Sequence, residues 1–337
     1  MSTETIEYKK KDFQSAAEVR WCPGCGDYSI LSSLQLALTK VGKKREDIVC
    51  VSGIGCSSRF PYYMGTYGFH TIHGRAPAIA SGIKSANPNL SIWIITGDGD
   101  GTSIGGNHLI HAMRRNLDMN IMLFNNEIYG LTKGQYSPTT ERGTITKSSP
   151  QGVIDRPFNT GKLALGAGVT YIAKTIDTDP KHIMDMMVAA DKHKGTSFLE
   201  IYQNCVIFND KIHDEYTNRN TRDDNCLYLE HGKPMIFGKD KNKGIILSGF
   251  KLEVVTIGVN GIEVKDILVH DKFNETLAYQ LLHYSNPPEF PMAIGEIYEK
   301  DAPIYEEDLT NQIKNAIEKK GPKTFKDVMF SGETWTV

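Results

Sequence analysis

The sequence predicts an α/β fold: a mostly parallel sheet flanked by helices and followed by an irregular C-terminal extension. Three observations point there. Short, nearly continuous apolar runs of the kind buried inside a parallel sheet recur at Asp47–Ser52 (DIVCVS), Leu90–Thr96 (LSIWIIT), Asn120–Phe124 (NIMLF) and Ser197–Gln203 (SFLEIYQ). Segments with helical spacing lie between them. The runs end in loops carrying Gly, Cys, Asp or Asn, and the carboxyl ends of parallel strands are where such folds gather their chemistry.

In chain order, residues 1–19 read as a polar arm, 20–210 as the main domain and 211–337 as the extension. Trp21, Cys22, Pro23, Gly24, Cys25 and Gly26 form a compact turn before a helix with Ile30, Leu31, Leu34 and Leu38 on one face. The first strand runs into Gly53–Arg59 (GIGCSSR), and Tyr62–Phe69 is aromatic and glycine-rich, a poor regular element. His70–Pro88 combines a polar loop with a helix of small residues (Ala76, Ala78, Ala80, Ser81, Gly82, Ala86), expected to pack tightly.

The central stretch opens Gly97-Asp98-Gly99-Asp100, continues with Ile104, His108, Leu109, Ala112 and Met113 near helical spacing, and closes Asn125-Asn126-Glu127. Gly130–Thr144 reads as an ordered loop over the same site, Asn159–Gly168 as a helix, Val169–Ala173 as a strand and Pro180–Lys194 as a Met-rich helix. Beyond residue 210, HGKPMIFGKDKNKG, the Pro287–Pro291 run and EIYEKDAPIYEED are turn-rich, with short patterns such as Leu277–Leu282.

A chain of 337 residues that is 40% hydrophobic supports a packed core, and a formal net charge of -2 gives no general electrostatic case for nucleic-acid binding. The amino terminus has no apolar run behind its lysines, and no segment is long enough to span a bilayer. The expectation is therefore a cytoplasmic protein with neither membrane nor nucleic acid as partner. Six cysteines without secretion features argue for metal or redox use.

Two sites follow from the residues. Loops at neighbouring strand ends lie side by side, so Asp98 and the Asn125-Asn126 pair can converge; one carboxylate with an amide oxygen suits magnesium shared with a phosphate, and the helix start after Gly101 adds backbone donors. The alternative is a pair of surface turns. Cys22, Cys25, Cys56 and Cys205 all fall in loops on that side, a set suited to zinc or an iron–sulfur cluster. Cys22 and Cys25 alone also fit a redox pair, half of a structural zinc site or plain loop cysteines. Cys50 reads as a core residue and Cys226 as an ordinary one.

In this order, CPGCG, GIGCSSR, HTIHGRA, GDGD and NNEIYGLTKGQ resemble the thiamine diphosphate-binding (beta) subunit of the 2-oxoacid:ferredoxin oxidoreductases, in the 2-oxoglutarate or broad 2-oxoacid branch, over roughly residues 20–208. The resemblance implies a thiamine diphosphate-binding fold. It also implies one 4Fe-4S cluster on Cys22, Cys25, Cys56 and Cys205, with magnesium held by Asp98, Asn126 and the Ile128 carbonyl. Gly97, Gly99 and Asp100 would shape the diphosphate loop, and His73, Gly130, Leu131 and Thr132 would line the cofactor.

The implied activity is coenzyme A-dependent oxidative decarboxylation of 2-oxoglutarate, or its reductive reverse, with ferredoxin as electron carrier; pyruvate or another 2-oxo acid is the alternative substrate. His70, His73 and Arg75 would form a cationic trio near the diphosphate, with His73 the catalytic candidate. Lys133 would face substrate or phosphate. Arg59 could bind the distal carboxylate of 2-oxoglutarate or serve as an arm on the protein partner. Lys239–Gly244 is either a docking patch for an acidic ferredoxin or a solvated turn. One cofactor-binding unit leaves the aminopyrimidine side to an alpha subunit, and a dimer of alpha-beta pairs is expected. A reading of another class is a non-catalytic iron–sulfur or zinc interaction subunit.

Overall fold

Alternation along the apolar runs decides the layers. In β1 (Ile48–Ser52), Ile48 and Cys50 pack on one side of the sheet, while Val49 and Val51 pack on the other. The same division holds in β3 (Ser91–Gly97), with Trp93 and Ile95 opposite Ile92 and Ile94, and in β4 (Met119–Asn125), with Met122 and Phe124 opposite Ile121 and Leu123. A strand buried on both faces needs helices on both. α1 (Asp27–Val41) and α7 (Pro180–Lys192) cover one side. α3 (Ala76–Ala86), α5 (Gly106–Arg115), α6 (Thr160–Gly166) and α10 (Glu275–Tyr284) cover the other. The result is a three-layer α/β/α sandwich.

The computed structural model describes residues 7–285 and 289–335. The remaining regular elements are β2 (Tyr67–His70), the hairpin β5 (Ile128–Tyr129) and β6 (Gln135–Tyr136), β7 (Tyr171–Ile176), β8 (Thr196–Tyr202), β9 (Cys226–Leu229), β10 (Ile236–Phe237), β11 (Lys243–Ser248), β12 (Lys251–Thr256) and β13 (Met292–Glu299). Short helices α2 (Phe60–Tyr63), α4 (Asp98–Thr102), α8 (Asp214–Thr217) and α9 (Arg222–Asn225) sit in loops, and α11 (Tyr305–Lys320) and α12 (Phe325–Met329) close the chain.

Eight strands form the main sheet in the order β2-β1-β3-β4-β8-β7-β13-β9, parallel from β2 through β7. Registers such as Ser52 with Ile95, Gly97 with Phe124 and Asn125 with Tyr202 bring the carboxyl ends of β1, β3, β4 and β8 to one edge. Among the described residues no helix is long and apolar enough to cross a membrane.

The structure departs from the sequence reading in four places. First, the segment after residue 210 is more than an irregular extension: β9 and β13 complete the main sheet, and Leu227, Leu281, Ala293 and Ile297 join its core. The boundary expected at 210 therefore falls inside one continuous core. β13 hides its strand character because Gly295, at φ +114°, and a register shift between Glu296 and Tyr298 interrupt the alternation, while Glu296 and Glu299 are offset by Lys272. The Pro287-Pro288 part of the Pro-rich run lies outside the described residues, as do the first six residues of the arm.

Second, the arm is not merely polar, since Phe13 is fully buried against the α1 side. Third, the aromatic stretch at Tyr62–Phe69 yields the edge strand β2. Fourth, the small-residue helix α3 packs tightly on one face only; Ala76 and Ala80 meet the sheet, whereas Ala78, Ile79, Gly82 and Ala86 are exposed. Lys84 of α3 is buried and pairs with Asp118 at 3.4 Å and Glu306 at 3.6 Å, so the start of α11 is anchored to the body.

If β13 is integral, Ile297→Ala, at a residue with no exposed surface, costs about 2–5 kcal/mol. Phe250→Ala, at a residue 94% exposed, stays within about 0.5 kcal/mol of wild type. Urea unfolding of the two variants measures the contrast.

Candidate functional site

The site lies where the carboxyl-end loops of β1, β3, β4 and β8 meet. Asp100 ties together the loop after β1, the loop between β2 and α3, and β3 itself. Its Oδ1 accepts from the backbone N–H of Gly74 at 2.8 Å and of Ile54 at 3.1 Å, and its Oδ2 accepts from the Thr96 hydroxyl at 2.8 Å. The close approach depends on absent side chains. A Cβ on Gly53 would stand 1.8 Å from Asp100 Oδ2, and one on Gly74, at φ +66°, would stand 2.4 Å from Gly105 Cα.

Asp98 follows β3 and is 2% exposed. Burial pushes its carboxyl up to about 6, although hydrogen bonds from Ser137 Oγ and Thr139 Oγ1, each 2.5 Å from Oδ2, favour the charged form. Those hydroxyls belong to the loop after β6, which thus closes over the carboxylate. Both residues were silent in the sequence, because their partner lies about forty positions away. Gly99 is pressed against the Tyr129 ring, where a Cβ would come within 2.2 Å of Cε1, and the Tyr129 hydroxyl donates to Gly99 O at 3.0 Å.

The two asparagines at the end of β4 take different directions. Asn125 donates to the buried Glu200 Oε1 at 2.9 Å, on the core side. Asn126 lines a narrow crevice of about 50 Å³ together with Gly97, Asp98, Gly99, Asp100, His73, Ile128, Gly130, Leu131 and Thr132. Glu127, at φ +55°, makes the left-handed turn between Asn126 and Ile128.

A second cavity, of about 460 Å³, shares Asn126, Cys56, Gly130, Leu131 and Gln203 with the first. It brings together Cys22, Cys25, Cys56 and Cys205 with Arg20, Arg59 and Lys133. Burial, followed by the nearby Asp27 carboxylate, pushes the Cys25 and Cys56 thiols up. Gly130 leaves the middle open, since a Cβ there would lie 3.5 Å from Cys205 Sγ and 3.6 Å from Cys56 Sγ.

Tetrahedral zinc draws its thiolates to about 3.8 Å from one another. Among the described residues no three His, Cys, Asp or Glu side chains have the spacing that a single ion needs. The four thiols line one cavity, and as soft donors they form the kind of ligand set that an iron–sulfur cluster takes. Asp98 and Asn126 in turn form a carboxylate-plus-amide set that fits magnesium with a phosphate completing its shell.

The cationic trio is split. His73 lines the crevice, 60% exposed at its side chain and 3.7 Å from Asp100 Oδ1. His70 Nδ1 meets the Tyr62 hydroxyl at 2.9 Å, and Arg75 contacts His108. Arg59 Nε donates to the Tyr63 hydroxyl at 3.0 Å on the wall of the thiol cavity. Lys133, at φ +75°, sits on that cavity and not on the crevice beside Asp98. Cys50 is buried in β1, and Cys226, at the start of β9, donates to Tyr216 O. Lys243 of the KDKNKG run pairs with Asp224 as the chain enters β11.

A parallel sheet with a Gly-Asp-Gly loop and Asn126 over one crevice defines the class of thiamine-dependent enzymes, and the family model of the thiamine pyrophosphate enzyme C-terminal TPP binding domain matches residues 25–201. The chain is 46% identical over 334 residues to the 2-oxoglutarate oxidoreductase subunit KorB of Mycobacterium tuberculosis, covering 98% of this chain and 88% of that one. It is 45% identical over 185 residues to the 2-oxoglutarate synthase subunit KorB of Archaeoglobus fulgidus, covering 55% and 69%. Among solved structures, the 2-oxoglutarate:ferredoxin oxidoreductase from Magnetococcus marinus, with 2-oxoglutarate, coenzyme A and succinyl-CoA bound, superposes with a TM-score of 0.78 at 29% identity over 98% of both chains. The chain belongs to the beta-subunit family of the 2-oxoacid:ferredoxin oxidoreductases, within the thiamine pyrophosphate enzymes. The resemblance carried by the motifs and the α/β fold class are both borne out.

Gly53→Ala tests the Asp100 clasp. The added methyl has no room and is expected to cost about 1–3 kcal/mol by displacing the Cys56 loop. Wild-type stability in denaturant unfolding would show that the loop is not held there.

Proposed function

We propose that this chain is the beta subunit of a 2-oxoglutarate:ferredoxin oxidoreductase, catalysing coenzyme A-dependent oxidative decarboxylation or the reverse carboxylation. The observation that carries the reading is the pair of adjoining cavities, one with the Gly-Asp-Gly loop and Asn126, the other with four cysteines, sharing a wall. The name of the Mycobacterium relative and the ligands of the Magnetococcus structure support the substrate class and coenzyme A. When bound, thiamine diphosphate supplies the electron sink for loss of carbon dioxide from a 2-oxo acid, and a 4Fe-4S cluster beside it supplies an exit for single electrons.

The residues divide that work. Asp98, Asn126 and the Ile128 carbonyl hold Mg2+, while Gly97 and Gly99 keep the loop open to the diphosphate. Asp100 fixes the loop, and Gly130, Leu131 and Thr132 wall the crevice. His73 presents an imidazole at the crevice mouth as a proton donor. Cys22, Cys25, Cys56 and Cys205 hold the cluster. Arg59 offers a planar guanidinium to the distal carboxylate, and Lys133 adds a second positive charge at the rim.

The alpha subunit completes the pyrimidine side, and two alpha-beta pairs assemble in the cytoplasm with ferredoxin as acceptor. The C-terminal end supports a partner. Among the described residues after Glu306 none is buried, and Ile313, Ile317, Phe325, Val328, Met329 and Trp335 face outward.

Two measurements test the reading. The complex, co-purified anaerobically, should be brown and contain about four iron and four sulfide per beta chain. Asp98→Ala should lose thiamine diphosphate but keep the iron. Zinc without sulfide, or unchanged thiamine diphosphate in the Asp98 variant, would contradict it. Separately, Arg59→Ala should raise KM for 2-oxoglutarate by about 10–100-fold, the worth of a charged hydrogen bond, and leave KM for pyruvate nearly unchanged. An equal effect on both substrates would remove the specificity role.

A further inference from the structure

Gln203 is the residue immediately after β8, 2% exposed, and its side chain reaches both cavities. Its Oε1 accepts from Asn126 Nδ2 at 2.8 Å. Its Nε2 donates to Cys25 Sγ at 3.3 Å and to Asn204 O at 2.6 Å. Its backbone N–H donates to Asn125 O at 2.9 Å, which fixes the end of β8 against the end of β4.

The hydrogen bonds run in one direction. Ile128 N–H donates to Asn126 Oδ1 at 3.2 Å, Asn126 donates to Gln203, and Gln203 donates to sulfur. Turning the Gln203 amide over would face its NH2 to that of Asn126 and its oxygen to the Asn204 carbonyl, so the partners determine its orientation. With that orientation set, Asn126 keeps its oxygen, and one free lone pair, for a metal.

We propose that Gln203 is a positioning residue wired between the two cofactor sites: through Oε1 it orients the Asn126 amide for magnesium, and through Nε2 it hydrogen-bonds the Cys25 sulfur. The proposal rests on the assignment of Asn126 to magnesium and Cys25 to the cluster made above. An outer partner that orients a metal ligand governs affinity. A donor to a cluster sulfur stabilises the more negative, reduced state and raises the reduction potential. A role in packing alone leaves the potential of an uncharged variant at the wild-type value.

Two variants separate the functions. Gln203→Glu keeps the shape and the acceptor for Asn126 but presents an oxygen to sulfur, whereas Gln203→Leu removes both contacts. The readouts, on the co-purified complex, are the cluster midpoint potential from an EPR-monitored titration and the affinity for Mg2+ with thiamine diphosphate from calorimetry. Gln203→Glu is expected to lower the potential and to bind near the wild-type level. Gln203→Leu is expected to lower the potential and weaken binding by about 10–100-fold.

A wild-type potential in Gln203→Leu, or equal losses of affinity in both variants, overturns the proposal. Wild-type complex that retains thiamine diphosphate but contains no iron and sulfide refutes the cluster assignment itself, and the sulfur half of the proposal with it. Loaded wild type with unmoved variants refutes Gln203 alone.

Discussion

The site depends on one buried carboxylate that holds its loops in place. Asp100 gathers a backbone N–H from the loop after β1, another from the loop before α3, and a hydroxyl from β3 itself. Parallel strands bring those loops only to a common edge; they do not set their heights or angles. The clasp does so, and it closes because Gly53, Gly74 and Gly105 let backbone approach where any Cβ would collide. A buried carboxylate is costly unless its oxygens are satisfied, and here both are accounted for by groups of the loops it must hold. Cys56 is carried on one of these loops, so the position of the thiol cavity is inherited from the same constraint.

Asp98 illustrates the complementary case. Its environment holds the carboxyl well above the ordinary range, since burial outweighs the two hydroxyls that reach it from the Ser137–Thr139 segment. Those hydroxyls both converge on Oδ2, so the orientation of the carboxylate at the crevice is set by the loop that closes over it. Of the adjoining thiols, Cys25 and Cys56 are likewise pushed up by burial, and all four are spread around an open volume. Asn126, Gly130 and Gln203 form the wall between the two cavities.

The end of the chain serves two purposes. β9 and β13 extend the main sheet beyond β7, and Lys84, clamped between Asp118 and Glu306, anchors the start of α11. Past that anchor the amphipathic helix stands away from the body. Integral sheet and protruding tail are thus parts of the same C-terminal segment.

How much was legible in the sequence follows from the range of the interactions. The apolar runs, their alternation and the Gly, Cys, Asp and Asn at their ends are local features. They determined the α/β class, the strands around Asp98 and Asn126, and four cysteines drawn from loops on one side. Which of the two asparagines lines the crevice was not local: it turns on Glu200, some seventy-five residues onward, drawing Asn125 to the core side.

The same holds for Ser137 and Thr139 on Asp98, for the separation of His73 from His70 and Arg75, and for β13, whose glycine and charged residues suppress a strand pattern until Leu229 and Lys272 are beside it. Gln203 was visible only as the end of a strand. Sequence determines what a segment can become when its neighbours are within a few residues; the tertiary structure alone decided which side chains share a wall, because the hydrogen bonds that join them cross between strands far apart in the chain.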